Sequence, residues 1–335
     1  GRKSIDALPA IVSSIPMFVE PYVLTRYATN KVESIASLLG FQGYHSAFFH
    51  GADNGSMGFE AFARKTGYQD YFGRTEYNDD NRFEGDKDFD GTWAIWDEEF
   101  MQFYALKMTE MKEPFMTTLF SASSHHPYKV PAKYENRFKD ETGDNNPLHK
   151  CIRYVDYCLQ EFFKTAEKQP WFKNTIFVIT ADHTNIVSEE KYNTDLGLYA
   201  VPILFYDPSD TLPIGIKEGI AQQTDIMPTI LNLLGYDKTY LAFGKDLIHT
   251  EADKTWAVNQ ENGVYQFIKG DYVVQMTEDT QIKGVYDFKK DWMLKNNLSG
   301  KIGEKEQELQ QELKAIIQDY MIRMVEDKLT VKSAE

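Results

Sequence analysis

Thr175-Ile176-Phe177-Val178-Ile179-Thr180-Ala181-Asp182-His183-Thr184 is the stretch that decides how the chain is read. Ile176 to Ile179 is an unbroken apolar run, the pattern of a strand buried on both faces of a parallel sheet. An aspartate and a histidine stand where that strand ends. In open α/β sheets, ligand sites form outside the carboxyl ends of the strands. An adjacent carboxylate and imidazole there are oxygen and nitrogen donors for a divalent cation. An aspartate closing an Asx-turn is the structural alternative.

Outward from this stretch the same alternation recurs. Helices are expected over 4–15, 30–40, 57–66, 97–112, 146–168 and 224–235. Strands are expected over 44–49, 115–121, 175–180 and 201–206. Strands alternating with helices predict an α/β fold, a mostly parallel central sheet with helices on both faces. After about residue 255 the pattern changes to short strands over 264–268, 272–276 and 284–288, then a long charged helix over 303–328. The expected organisation is a core over 1–255 and a C-terminal β-meander and helix over 256–335.

The 335 residues are 42% hydrophobic and 14% aromatic, enough for a sizeable core. Net charge is 36 − 51 = −15, which argues against a nucleic-acid partner. An anionic substrate stays compatible, because one bound cation inverts the charge of one pocket. The two cysteines, Cys151 and Cys158, lie on one face of a predicted helix about 10 Å apart along its axis, too far to bridge. No run of about 18 apolar residues is present. The abrupt start at Gly1-Arg2-Lys3-Ser4 is expected to be an internal point of a longer protein.

Three polar clusters follow predicted strands: His50 with Asp53 and Asn54, His125 in Ser124-His125-His126-Pro127, and Asp182-His183. Parallel strands bring all three to one sheet edge. An ordinary turn at His50 and a structural histidine at His125 are the alternatives. Ser4 precedes or opens a helix, where serine is usually an N-cap. A helix N-terminus also favours anions, and a cation-bound serine there can act as a nucleophile. Gln223 to Ile230 reads as a structural helix start, and His45, His149 and His249 carry no comparable context.

Thr180-Ala181-Asp182-His183 resembles the metal-binding Asp-His of the alkaline phosphatase/sulfatase superfamily. Thr224 to Leu231 and Phe243-Gly244-Lys245-Asp246-Leu247 resemble the segments that follow it in sulfatases and their relatives. Within the superfamily, Gly1 to Pro9, Phe49-His50-Gly51 and Ser124-His125-His126-Pro127-Tyr128 resemble the lipoteichoic acid synthase, or phosphoglycerol transferase, branch. The resemblance implies an alkaline phosphatase-like fold. It implies Ser4 as nucleophile and metal ligand, Asp182 and His183 as metal ligands, and His50 and His125 as groups that hold phosphoryl oxygens or protonate the leaving group. Asp53 and Asn54 join the substrate-binding set.

The implied cofactor is one divalent ion, Mn²⁺ or Mg²⁺, with Ca²⁺ or Zn²⁺ as alternatives. The implied partners are a phospholipid head group, or another phosphodiester or sulfate ester donor, and a hydroxyl acceptor. The implied location is outside the cytoplasm, anchored by transmembrane helices upstream. A glutamate ligand on a first strand is expected upstream of Gly1. The arginine that the branch carries after its His-Gly loop has no counterpart in Gly58-Phe59-Glu60. True sulfatases need proline two residues and arginine four residues after the modified residue. Asp6 and Leu8 stand there, which disfavours formylglycine chemistry. A hydrolase on the same site, or a binding domain without metal, are the other readings.

Overall fold

The computed structural model describes residues 1–139, 143 and 145–331. The last four residues of the 256–335 segment lie outside the described residues. Along the chain run α1 (Ser4–Ser13), α2 (Ile35–Gly40), β1 (His45–His50), α3 (Phe59–Lys65), β2 (Asp70–Phe72), α4 (Arg74–Asn78), α5 (Asp97–Glu110), β3 (Phe115–Phe120) and α6 (Leu148–Ala166). Then come β4 (Phe177–Thr180), β5 (Ile203–Tyr206), α7 (Ile226–Leu233), β6 (Trp256–Glu261), β7 (Val264–Lys269), β8 (Tyr272–Thr277), β9 (Ile282–Asp287) and α8 (Glu304–Val325). The fold is α/β with a C-terminal antiparallel meander and helix, as the sequence predicts. Two compact units divide it. One comprises 1–38, 178–204 and 214–335; the other comprises 39–177 and 205–213.

In the second unit β1 lies between β2 and β3, parallel to both. Its apolar residues are buried on both faces, as the core strand of a parallel sheet must be. Phe48 stacks on Tyr71 with ring centroids 5.7 Å apart, and Phe49 stacks on Phe72 at 4.7 Å. Phe49 also meets Tyr104 of α5 edge-on at 4.7 Å. α5 and α6 supply most of the remaining core, including Phe100, Phe103, Tyr154 and Phe162. Cys151 and Cys158 are buried and free on α6, in line with their spacing.

In the first unit the meander runs β6-β7-β8-β9, antiparallel throughout. One cross-strand row, Val258, Phe267, Val274 and Val285, is apolar and buried. The adjacent row, Asn259, Gln266, Gln275 and Gly284, is polar. α8 contacts β7 and β8, burying Leu309, Leu313, Tyr320 and Met324. Two of its glutamates turn to the protein: Glu312 pairs with Lys269 at 2.6 Å, and Glu306 accepts the Gly300 amide at 2.7 Å. Phe18 meets Tyr320 at 4.8 Å and Tyr265 at 5.5 Å, both edge-on.

Four expectations need correction. The helix predicted over 30–40 forms only from Ile35. Asn30 donates its side-chain amide to the Met324 carbonyl at 2.7 Å, and the Lys31 amide donates to Asp327 at 2.7 Å, so this backbone is committed to the end of α8. Ser34 then caps the shorter helix, accepting the Ala36 amide at 3.0 Å. Second, the run Ile176–Ile179 is half-buried, because β4 and β5 form a separate two-stranded sheet instead of extending the other three strands. Third, β6 was not expected. Its signal is Asn262-Gly263, both at positive φ (51° and 78°), the turn that joins two-residue hairpins. Fourth, β2 and α4 are too short to leave a periodic pattern.

Burial of one carboxylate in this unit gives a stability signature. Asp225 is buried and its pKa is pushed up to about 7, chiefly by desolvation, against amide bonds from Lys245 and Gln222 that lower it. A raised carboxyl pKa means that folding favours the protonated form. Its contribution is full below the unfolded pKa near 3.8 and is lost as pH rises through about 7. Urea unfolding of wild type and Asp225→Asn at pH 4 and pH 8 is expected to show the variant gaining relative stability at pH 8. The pH-dependent difference is at most about 4 kcal/mol. An identical pH dependence in the two proteins counts against this assignment.

Candidate functional site

Three predicted side chains meet in the first unit. Ser4 opens α1 as its first helical residue, with Lys3 in the N-cap position. Its hydroxyl does not cap the helix; it donates to Asp182 Oδ2 at 2.7 Å. The capping alternative for Ser4 therefore fails. The helix start is instead secured by Asp6, whose carboxylate accepts the amides of Arg2 and Lys3 at 3.2 Å each.

Asp182 lies two residues beyond β4. Its Oδ1 accepts the amide of His183 at 2.9 Å, a bond to the next residue and not an Asx-turn. Its Oδ2 faces both Ser4 Oγ and His183 Nε2, the latter at 3.3 Å. His183 Nδ1 donates to the Thr184 carbonyl at 2.6 Å. That bond fixes the tautomer in which Nε2 carries a lone pair. This places an imidazole nitrogen beside a carboxylate oxygen, 3.3 Å apart, as two neighbouring donor atoms. The loop itself is held by Gln223, whose amide nitrogen donates to the carbonyls of Ala181 (2.9 Å) and Asp182 (2.7 Å). The sequence reading placed Gln223 only at a structural helix start. No local pattern signals its role, because its partners lie 42 and 41 residues away.

Among the described residues, no three His, Cys, Asp or Glu side chains gather as a metal-binding group. The donor set that does gather is a hydroxyl, a carboxylate and an imidazole. A mixed oxygen and nitrogen set suits a hard or borderline divalent ion, so the residues present fit one.

The other four predicted residues belong to the second unit. His50 ends β1 and is 2% exposed. Its Nδ1 donates to the Phe120 carbonyl at 2.9 Å, and its buried Nε2 has no hydrogen-bond partner among the described residues. Burial lowers its pKa, partly offset by the Phe120 bond, so the ring is neutral and Nε2 is an acceptor. His125 follows β3, half-buried, with its ring 4.7 Å from that of Trp93. Its loop is tied to α5 by the Asp97 carboxylate, which accepts the amides of Ala122 at 2.9 Å and Ser123 at 3.0 Å.

Asp53 and Asn54 are engaged with α4. Asp53 pairs with Arg74 at 2.9 Å, and Asn54 donates to both oxygens of Glu76 at 3.2 and 3.0 Å. Arg74, which the sequence reading passed over, also binds Asp86 at 2.9 Å and lies 3.6 Å over the Phe89 ring.

Comparison with known proteins follows the same lines. The Sulfatase family model matches residues 4–236. The lipoteichoic acid synthase of Staphylococcus saprophyticus is 29% identical over 257 residues, covering 72% of this chain and 38% of that protein. Lipoteichoic acid synthase 1 of Bacillus subtilis is 26% identical over 313 residues, covering 88% of this chain and 46% of that protein. The chain thus spans less than half the length of these relatives. Among solved structures, a protein in the alkaline phosphatase superfamily from Vibrio parahaemolyticus superimposes with a TM-score of 0.80 at 22% identity, covering 97% of this chain and 77% of that one. The lipoteichoic acid synthase LtaP from Listeria monocytogenes does so with a TM-score of 0.73 at 19% identity, covering 96% and 81%. These two share the fold. With more than half of its length matched by the family model, the chain belongs to the Sulfatase family.

Proposed function

We propose that the chain is the catalytic part of a metal-dependent phosphotransferase that moves a phosphoglycerol or similar head group through a phosphoserine at Ser4. The observation that carries this reading is the meeting of Ser4 Oγ and His183 Nε2 at Asp182 Oδ2, 2.7 and 3.3 Å from it. Ser4, Asp182 and His183 would hold one divalent ion, Mn²⁺ or Mg²⁺. Such an ion supplies a lowered pKa for the serine hydroxyl and neutralises charge on the phosphoryl oxygens.

The remaining steps belong to the chain's own groups. Asp182 orients the Ser4 hydroxyl through the 2.7 Å bond. Ser4 gives its hydroxyl proton to solvent as Oγ attacks phosphorus, the P–O ester bond to the leaving group breaks with its electron pair, and the leaving alkoxide takes a proton from solvent. An acceptor hydroxyl then attacks phosphoserine and frees Ser4 in a second in-line displacement. His50 is neutral, with its Nδ1 proton held by the Phe120 carbonyl, so it is not a proton source for a leaving group. His125 remains a candidate for binding the phosphoryl group. Asp53 and Asn54 are already paired with α4, so their part is to shape the loop after β1.

The donor is a phospholipid head group or related ester and the acceptor a hydroxyl, as the resemblance to the lipoteichoic acid synthase branch implies. On the same basis the complete protein acts outside the cytoplasm, held to a membrane. Among the described residues, no helix is long and apolar enough to cross one. The family's name keeps a second reading open, a phosphodiesterase or unmodified-serine sulfatase on the same residues.

Acid quenching during turnover of a phosphodiester, followed by mass spectrometry of the Ser4 peptide, is expected to show a phosphate adduct. A sulfate adduct with a sulfate ester as substrate favours the second reading. No adduct with either substrate, under steady turnover, overturns the covalent route.

A further inference from the structure

Glu261, the last residue of β6, meets two side chains at one oxygen, one by a hydrogen bond and one as an ion pair. Tyr199 donates its hydroxyl to Glu261 Oε2 at 2.5 Å, with the Gln260 carbonyl a second acceptor at 3.1 Å. Arg2 pairs with the same Oε2 at 3.7 Å, and its guanidinium lies 6.0 Å from the Tyr199 ring centre. Burial, reinforced by the Glu261 carboxylate, raises the tyrosine pKa, so the hydroxyl keeps its proton and donates.

Each arm leads to the cluster of Ser4, Asp182 and His183. Arg2 stands two residues before Ser4. Tyr199 follows Leu198, whose carbonyl accepts from Thr184 Oγ1 at 2.5 Å. The Thr184 carbonyl in turn accepts from His183 Nδ1 and fixes its tautomer. All of these residues belong to one compact unit.

We propose that Glu261 is a positioning residue for this cluster, in which one carboxylate oxygen of the C-terminal meander holds both the segment before Ser4 and the loop after His183. The proposal rests on the reading of the cluster as the reacting site. The loop has separate anchors for its folding. Gln266 donates to the Asp195 carbonyl at 3.0 Å and Gln275 to Asp195 Oδ2 at 2.9 Å. Gly197 packs so closely that a Cβ would sit 2.5 Å from Tyr192 Cα. Removing the Tyr199 hydroxyl therefore loosens the aim of the loop without detaching it. Outer partners of reacting groups are worth about 10-fold to 100-fold in activity.

The test compares wild type, Ser4→Ala, Tyr199→Phe, Glu261→Gln and the Tyr199→Phe/Glu261→Gln pair in the complete enzyme, with an aryl phosphodiester. Tyr199→Phe and Glu261→Gln are each expected to lower kcat about tenfold, leaving KM within about twofold and the melting temperature unchanged. The pair is expected to lose less than the product of the two single losses, since the Tyr199–Glu261 contact is counted in both. Unchanged kcat in both single variants overturns the role, as do losses that multiply in the pair or that track a fall in melting temperature. Turnover lost in Ser4→Ala but kept in the other variants overturns this role alone. Turnover kept in Ser4→Ala overturns the site reading and this role with it.

Discussion

Ser4→Ala is expected to lower phosphodiester turnover by about 10⁴-fold or more while the melting temperature stays within a degree or two of wild type. The size follows from the role. Without the hydroxyl no phosphoserine forms, and only binding and electrostatic assistance to water remain. The unchanged stability follows from the position. Ser4 is the first residue of α1 and its hydroxyl serves no helix amide, so alanine removes no cap and has better helix propensity. A capping serine behaves in the opposite way, losing about 1 kcal/mol of stability with activity kept. Assay and thermal melt on the same preparation separate the two. Turnover near wild type, or a destabilised but active protein, counts against Ser4 as nucleophile.

What could be seen in advance follows the range of the interactions. Asp182 and His183 stood out because they end an apolar run, and a strand's end is a local property. Ser4 emerged only through the resemblance of its segment to a family, since a serine at a helix start is locally indistinguishable from a cap. Its partner lies 178 residues away. The acceptor state of His50 was equally hidden. It is set by the Phe120 carbonyl, 70 residues on, which takes the Nδ1 proton and leaves Nε2 bare. The units were hidden for a related reason. Local periodicity marks a change after about residue 255, yet the meander and α8 belong with residues 1–38 and 178–204, an interleaving that only long-range packing creates. Asp53 and Asn54 looked free for a ligand because their partners on α4 came from a helix too short to register.

The other large effect concerns folding. Gly244→Ala is expected to destabilise the chain by more than about 4 kcal/mol, or to prevent soluble expression. The reason is a junction that binds three distant segments. Ser14 donates its hydroxyl to the Thr224 carbonyl at 2.7 Å and accepts the Gly244 amide at 2.9 Å. The next residue's amide, Lys245, reaches Asp225 at 2.8 Å, and that of Leu247 reaches Thr229 Oγ1 at 2.9 Å. A Cβ at Gly244 would lie 2.0 Å from the Thr224 carbonyl oxygen and 2.6 Å from the Asp225 amide nitrogen. Both neighbours are backbone at the start of α7, so nothing flexible can give way. The strand of bonds must part, leaving the buried Ser14 and Asp225 each short of a partner. Gly235→Ala is the matched control. That glycine has φ +68° with nothing within 4 Å of a built Cβ, so alanine there meets backbone strain alone, about 1–2 kcal/mol. Equal losses in the two variants, measured by urea unfolding, would mean that the junction tolerates separation and that only glycine's conformational freedom matters. Because Gln223, beside Thr224, also holds the Asp182 carbonyl, partial opening of the junction in any soluble Gly244→Ala protein is expected to lower kcat as well, whereas Gly235→Ala leaves it unchanged.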